Sequence, residues 1–115
     1  GLLDEMDEAL MVPANCVSGC GPAFASLFME ALADGAVACG LPRDKAMVCA
    51  AQMLVGTGKL YLENRKHPGA MKDAVCSPGG TTIQGVRTLE KNGFRSAAME
   101  AVIAAYEKTM EMQKK

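Results

Sequence analysis

Residues 46–56 contain one polar side chain, Gln52, in a run of Ala, Met, Val, Cys, Leu and Gly. As a helix such a segment is apolar nearly all round. A soluble chain of 115 residues has few places with protein on every side, so the segment is more easily buried between two chains than within one. A second stretch makes the same demand. From about 22 to 39 the polar residues are Ser26, Glu30 and Asp34, whose i, i+4 spacing draws one narrow stripe. Composition sharpens the point: Ala and Gly supply 30 of the 115 positions, with three Phe, two Tyr and no Trp. A core from such residues comes from many small contacts or from a partner chain. The expectation is an obligate oligomer, most simply a two-fold dimer; the alternative is a compact monomer whose Ala-rich faces tolerate exposure.

Val, Ile and Thr supply only 15 residues, and Pro and Gly fall between segments, so helices are expected throughout. A short acidic helix over residues 4–10 should stop at Pro13. The turn at Ser18-Gly-Cys-Gly-Pro22 should open a helix that runs to about Cys39 with Gly40 as its cap. Further helices are predicted from 43 to 63, from Pro68 to about Val75, from the 77–82 loop to Asn92-Gly93, and from Phe94 towards Lys114. On the last, Phe94, Ala98, Ala101, Ala105, Thr109 and Met112 share one face.

A formal net charge of −1 gives no basic field for a nucleic-acid backbone or an acidic membrane surface. No run reaches roughly 18 uninterrupted apolar residues, so no bilayer span is expected. Five Cys without a Cys-x-x-Cys spacing point to the reducing cytoplasm. No metal site is expected, because Cys16, Cys20 and the single His67 are not a ligand cluster.

The strongest chemical feature is Val75-Cys-Ser-Pro-Gly-Gly-Thr-Thr-Ile83. Adjacent glycines let the backbone turn tightly with several amides aligned, and hydroxyls at a helix mouth add donors, which together make a small anion site. With no Lys or Arg inside it, the loop suits one carboxylate better than a polyphosphate, and it lacks the Gly-Lys-Ser/Thr ending of a P-loop. The competing reading is a Pro-Gly-Gly turn followed by a Thr N-cap. Ser18-Gly-Cys-Gly-Pro-Ala23 reads as packing. Cys76 has no His or acid beside it to make it a nucleophile, His67 reads as exposed or capping, and the Met residues as core or interface.

Taken together, Ser18-Gly-Cys-Gly-Pro-Ala-Phe24, Glu30-Ala-Leu-Ala-Asp34, Gly40-Leu-Pro-Arg43, His67-Pro-Gly69, Lys72-Asp-Ala-Val-Cys-Ser-Pro-Gly-Gly-Thr-Thr-Ile83, Leu89-Glu90 and Gly93-Phe-Arg95 resemble the C-terminal domain of the pyrroline-5-carboxylate reductases. The resemblance runs from about residue 5 to 108. It departs at Cys20, Phe24 and Met71, where Ser, Tyr and Leu are usual. It implies an all-α fold of about five to six helices, a bundle like the C-terminal domain of 6-phosphogluconate dehydrogenase, interlocked as a homodimer that can assemble into a decamer. It also implies reduction of Δ1-pyrroline-5-carboxylate to L-proline by NADPH or NADH. On this mapping Ser77, Gly80, Thr81 and Thr82 hold the substrate, Thr82 acts catalytically at the ring nitrogen, and Ala74 and Val75 lie by the cofactor ribose.

No Gly-x-Gly-x-x-Gly follows a strand and no strand-helix alternation occurs, so residues 1–115 are read as the helical dimerisation and substrate-binding domain. The N-terminal Rossmann domain is expected upstream or on another chain, and this chain alone is expected to be inactive. Two other readings stay open: a helical dimerisation module without a ligand, and the helical domain of another Rossmann-linked dehydrogenase of small carboxylates.

Overall fold

A computed structural model describes residues 7–114, and the described residues form six helices and no strand. They are α1 (Glu8–Ser18), α2 (Gly21–Ala38), α3 (Arg43–Asn64), α4 (Pro68–Ala74), α5 (Thr81–Lys91) and α6 (Phe94–Gln113). The all-α expectation holds, and five of the six predicted helices begin and end within about two residues of their expected bounds.

The first helix is the correction. Pro13 lies inside α1 instead of ending it, and the helix continues to Ser18; residues 4–6 of the predicted segment lie outside the described residues. Pro13 has no N–H for the Ala9 carbonyl and crowds that turn, at a cost near 3 kcal/mol. Tertiary packing offsets it. Cys16, 2% exposed, is buried where α1 meets α6, in a cleft it shares with Thr109 and Gln113. Local propensity loses here to a contact made about ninety residues along the chain.

The connections follow their sequence signals. Gly40, at φ 107°, ends α2 in a Schellman arrangement, its N–H donating to Val37 O at 2.9 Å and the Leu41 N–H to Ala36 O at 3.0 Å. The Arg43 guanidinium closes the turn on Asp34. Between α1 and α2 the chain barely pauses: Gly19 and Cys20 both donate to Asn15 O, and Pro22 is the second residue of α2. Taken as one stretch, Glu8–Ala38 is long and apolar enough to cross a membrane by length and composition, with a mean hydropathy of 1.3 over its most apolar 18 residues. A search for uninterrupted apolar runs misses it because Ser18, Glu30 and Asp34 break the run.

The chain divides into two compact units. One comprises residues 1–25 and 89–115, in which α1 packs on α6 and Arg95 Nε reaches both oxygens of Glu90 at 3.0 Å across the Gly93 turn. On α6 the middle of the expected inner face, Ala101, Ala105 and Thr109, is half-buried, while Phe94 and Met112 at its ends stay exposed. The other unit comprises residues 26–88 and holds the remaining buried residues, Ala33, Ala46 and Ala50.

Among the described residues the buried apolar set is thus one Cys and three Ala. Three methyls and a thiol cannot offset the ordering of over a hundred residues. Meanwhile Leu27, Val48, Val55, Leu62 and Val75 are each more than 60% exposed. The demand for outside cover read from residues 46–56 extends along much of the chain.

Candidate functional site

The candidate loop is framed by two helix ends that the sequence builds locally. His67 caps α4, its Nδ1 accepting from the Gly69 N–H at 2.9 Å, and Pro68 fills the first helical position. A Cβ on Gly69 would stand 2.9 Å from that same Nδ1, so glycine is needed for the cap to close. Seven residues later the helix ends. The Val75 N–H donates to Lys72 O and the Cys76 N–H to Asp73 O, both at 3.1 Å.

Ser77, Pro78, Gly79 and Gly80 then form a β-turn closed by Gly80 N–H to Ser77 O at 3.0 Å. Pro78 in the second position and Gly79 at φ 71° in the third carry the type II signature. Gly80 is required for a different reason: a Cβ there would lie 2.6 Å from Ser77 Oγ and 3.3 Å from Ser77 O. The Ser77 hydroxyl therefore rests over Gly80, at the mouth of α5.

α5 starts at Thr81, so Thr81 and Thr82 are its first two residues and neither is its N-cap. No capping hydrogen bond at either threonine hydroxyl is present among the described residues. The hydroxyls of Ser77, Thr81 and Thr82 form no hydrogen bond among the described residues, and first-turn amides have no intrahelical acceptor. Three hydroxyls and a helix N-terminus are left with donors to spare on exposed residues. Lys72, ahead of the loop, is paired with Asp73, Nζ to Oδ1 at 3.1 Å. Neutral donors of this kind suit one carboxylate.

The structure thus brings Ser77, Gly80, Thr81 and Thr82 together in six residues, with Ala74 and Val75 at the adjoining end of α4. Cys76 is half-buried between them, and all five cysteines are free. No group of three or more His, Cys, Asp or Glu among the described residues is placed to hold a metal ion. Sequence reasoning missed the Ser77 hydroxyl seated over Gly80; the signal available was the second glycine, which the type II turn does not itself require.

An all-helical chain that leaves large Leu and Val side chains uncovered defines a class, an all-α association domain. The chain belongs to the family described as pyrroline-5-carboxylate reductase dimerisation, which matches residues 8–112. It is 53% identical over 115 residues to a pyrroline-5-carboxylate reductase of Synechocystis and 47% identical over 114 residues to that of Escherichia coli. These alignments cover 100% and 99% of this chain but 43% and 42% of the relatives. Among solved structures, the Plasmodium falciparum pyrroline carboxylate reductase with NADP bound superposes with a TM-score of 0.87 at 38% identity, over 93% of this chain and 41% of that one. The chain spans about two-fifths of the length of the curated relatives it matches, and the family resemblance read from its motifs is borne out.

Proposed function

We propose that this chain is the dimerisation and substrate-binding domain of a pyrroline-5-carboxylate reductase, which reduces Δ1-pyrroline-5-carboxylate to L-proline. The observation that carries the reading is the loop from Ser77 to Thr82, whose three unengaged hydroxyls and free first-turn amides sit together without a cation. The Ser77 hydroxyl and the amides of Thr81 and Thr82 hold the substrate carboxylate beside Gly80, whose own N–H is engaged by Ser77 O. The Thr82 hydroxyl hydrogen-bonds the ring nitrogen and positions the proton that nitrogen gains. A protein nucleophile is not needed for such a reduction, only an oriented imine and fixed dipoles.

NADPH or NADH, when bound, supplies the hydride to the imine carbon. The fit at Ala74 and Val75 is through carbonyls: the Val75 and Cys76 amides are spent on Lys72 O and Asp73 O, leaving acceptors suited to ribose hydroxyls, and Val75 is 65% exposed. The remainder of the nucleotide site belongs to a Rossmann domain outside these residues, so the isolated chain is inactive in this reading.

The partner is a second copy of the chain. The family's description as a dimerisation domain and the uncovered Leu and Val side chains support self-association, with a decamer of five dimers as the larger form the resemblance implies. Glu30 and Asp34, exposed in the apolar Glu8–Ala38 stretch, favour protein over lipid as its cover. Net charge −1 gives nucleic acid no hold. Free cysteines accord with a cytoplasmic location.

The test is a chimera in which this chain replaces the matching 42% of the Escherichia coli relative. Pyrroline-5-carboxylate-dependent oxidation of NADPH is expected, together with growth of a proline-requiring strain. A dimeric, helical chimera without either activity would overturn the assignment.

A further inference from the structure

We infer that His67 is a positioning residue for the substrate loop: its ring caps α4, and α4 carries that constraint to Val75, Cys76 and Ser77 at its other end. The inference rests on the loop reading proposed above and adds what holds the loop's entry in place. α4 is seven residues long and none of them is buried. Isolated helices shorter than roughly 12–15 residues are marginal in water, so a two-turn helix without an inward face depends on how its ends are closed.

At the start, one residue closes everything. The His67 Nδ1 accepts from the Gly69 N–H at 2.9 Å, and the His67 carbonyl accepts from the Ala70 and Met71 N–H groups at 2.9 and 3.1 Å. Pro68 has no N–H to satisfy, so every first-turn donor of α4 ends on His67. Gly69 shows that the ring's place is demanded. Glycine is the poorest helix former after proline, and Gly69 is not at positive φ, so its backbone does not call for it. A Cβ there would stand 2.9 Å from His67 Nδ1 and 3.1 Å from Cε1, and among the described residues it would meet no other group within 4 Å. The imidazole alone excludes a side chain.

At the far end the Val75 N–H donates to Lys72 O, the Cys76 N–H to Asp73 O and the Gly80 N–H to Ser77 O. From 67 to 80 the chain is thus a single run of local hydrogen bonds, with the cap at one end and the Ser77 turn at the other. Seven helical residues span about 10 Å, so the ring acts through the helix and does not touch a carboxylate held at Ser77. Loss of the cap frees the first of two turns and with it the place of the Ser77 hydroxyl.

The experiment is steady-state kinetics of the chimera, with helix content followed by circular dichroism. His67→Ala removes the acceptor, and His67→Gln moves it one bond too far; each is expected to raise KM for pyrroline-5-carboxylate by about fivefold with kcat within about twofold. His67→Asn places Oδ1 where Nδ1 stands and should return KM to within about twofold of wild type. Gly69→Ala, which drives the ring out, should raise KM as His67→Ala does although alanine is the better helix former, and the double variant should lose no more than either. If His67→Ala loses helix content, Gly69→Ala decides. A wild-type KM in His67→Ala or Gly69→Ala overturns the positioning role and leaves the loop reading standing. An Asn variant as poor as the Ala variant, or losses that multiply in the double variant, overturns the cap as the means. A fall in kcat at constant KM overturns action through the helix, and a wild-type chimera without activity overturns both the inference and the reading it rests on.

Discussion

The turn from Val75 to Thr82 and the exterior of α3 both face outward, yet they are incomplete in different ways. The turn is finished by its own residues: Gly80 bonds Ser77, Gly79 takes the positive φ, and each neighbouring helix end is closed within a few positions. What it leaves open are hydroxyl and amide donors, which water can satisfy as well as a small anion can. α3 leaves open Val48, Val55 and Leu62, which water does not satisfy at all. The geometry of the proposed ligand loop is therefore fixed by local sequence in a chain whose helices need a second chain, and ligand affinity and assembly should respond to different substitutions.

The strongest way to break that separation is Thr82→Ala in the chimera. Loss of the hydroxyl at the ring nitrogen is expected to lower kcat/KM by about 100-fold or more, while sedimentation shows an unchanged dimer. Near-wild-type kinetics would remove Thr82 from the chemistry, and a dissociated variant would show that loop and assembly are not separate. Gly80→Ala should come next. The added methyl displaces the Ser77 hydroxyl from its place 2.6 Å away, so KM is expected to rise by roughly tenfold with a smaller change in kcat and no change in association. Equal losses in both constants would mean that Ser77 acts beyond ground-state binding.

Most of the loop was legible in the sequence because its determinants are neighbours. Pro78, Gly79 and the hydroxyl residues act within five positions of one another, and the order Ser-Pro-Gly-Gly-Thr-Thr carried both the anion reading and the family resemblance. The helix boundaries were legible for the same reason, through Pro22, Gly40, Pro68 and Gly93. What escaped depended on distance. Pro13 reads as a stop, and only the packing of Cys16 against α6 keeps α1 intact. Counting polar residues shows that 46–56 needs cover, but the open side of α3 emerges only when exposure separates Val48, Val55 and Leu62 from the side bearing Ala46 and Ala50.

Pro13 offers a sharper contrast on the assembly side. Pro13→Ala restores an N–H facing the Ala9 carbonyl and is expected to stabilise the chain by about 2 kcal/mol, the helix cost of proline less the stiffness it gives the unfolded chain. The readout is Tm at fixed protein concentration, since dimer stability depends on concentration. Substrate constants in the chimera should not move. An unchanged Tm would mean that the α1 backbone has already relaxed around the ring.

The smallest expected effect is on the Glu90–Arg95 fork. Arg95 Nε lies 3.0 Å from both carboxylate oxygens, but the side chains are 64% and 47% exposed, so solvent screens much of the attraction. Arg95→Ala is expected to cost about 0.5 kcal/mol or less in thermal unfolding, a difference that shrinks as salt is raised. The turn it spans is already set by Gly93 at φ 74°, with the Gly93 N–H on Glu90 O at 3.1 Å and the Ala97 N–H on Gly93 O at 2.9 Å. If Arg95→Ala instead costs several kcal/mol at constant helix content, the guanidinium must be desolvated in the assembled protein. The α5–α6 corner would then belong among the surfaces a second copy covers, and the salt dependence of dissociation would report it directly.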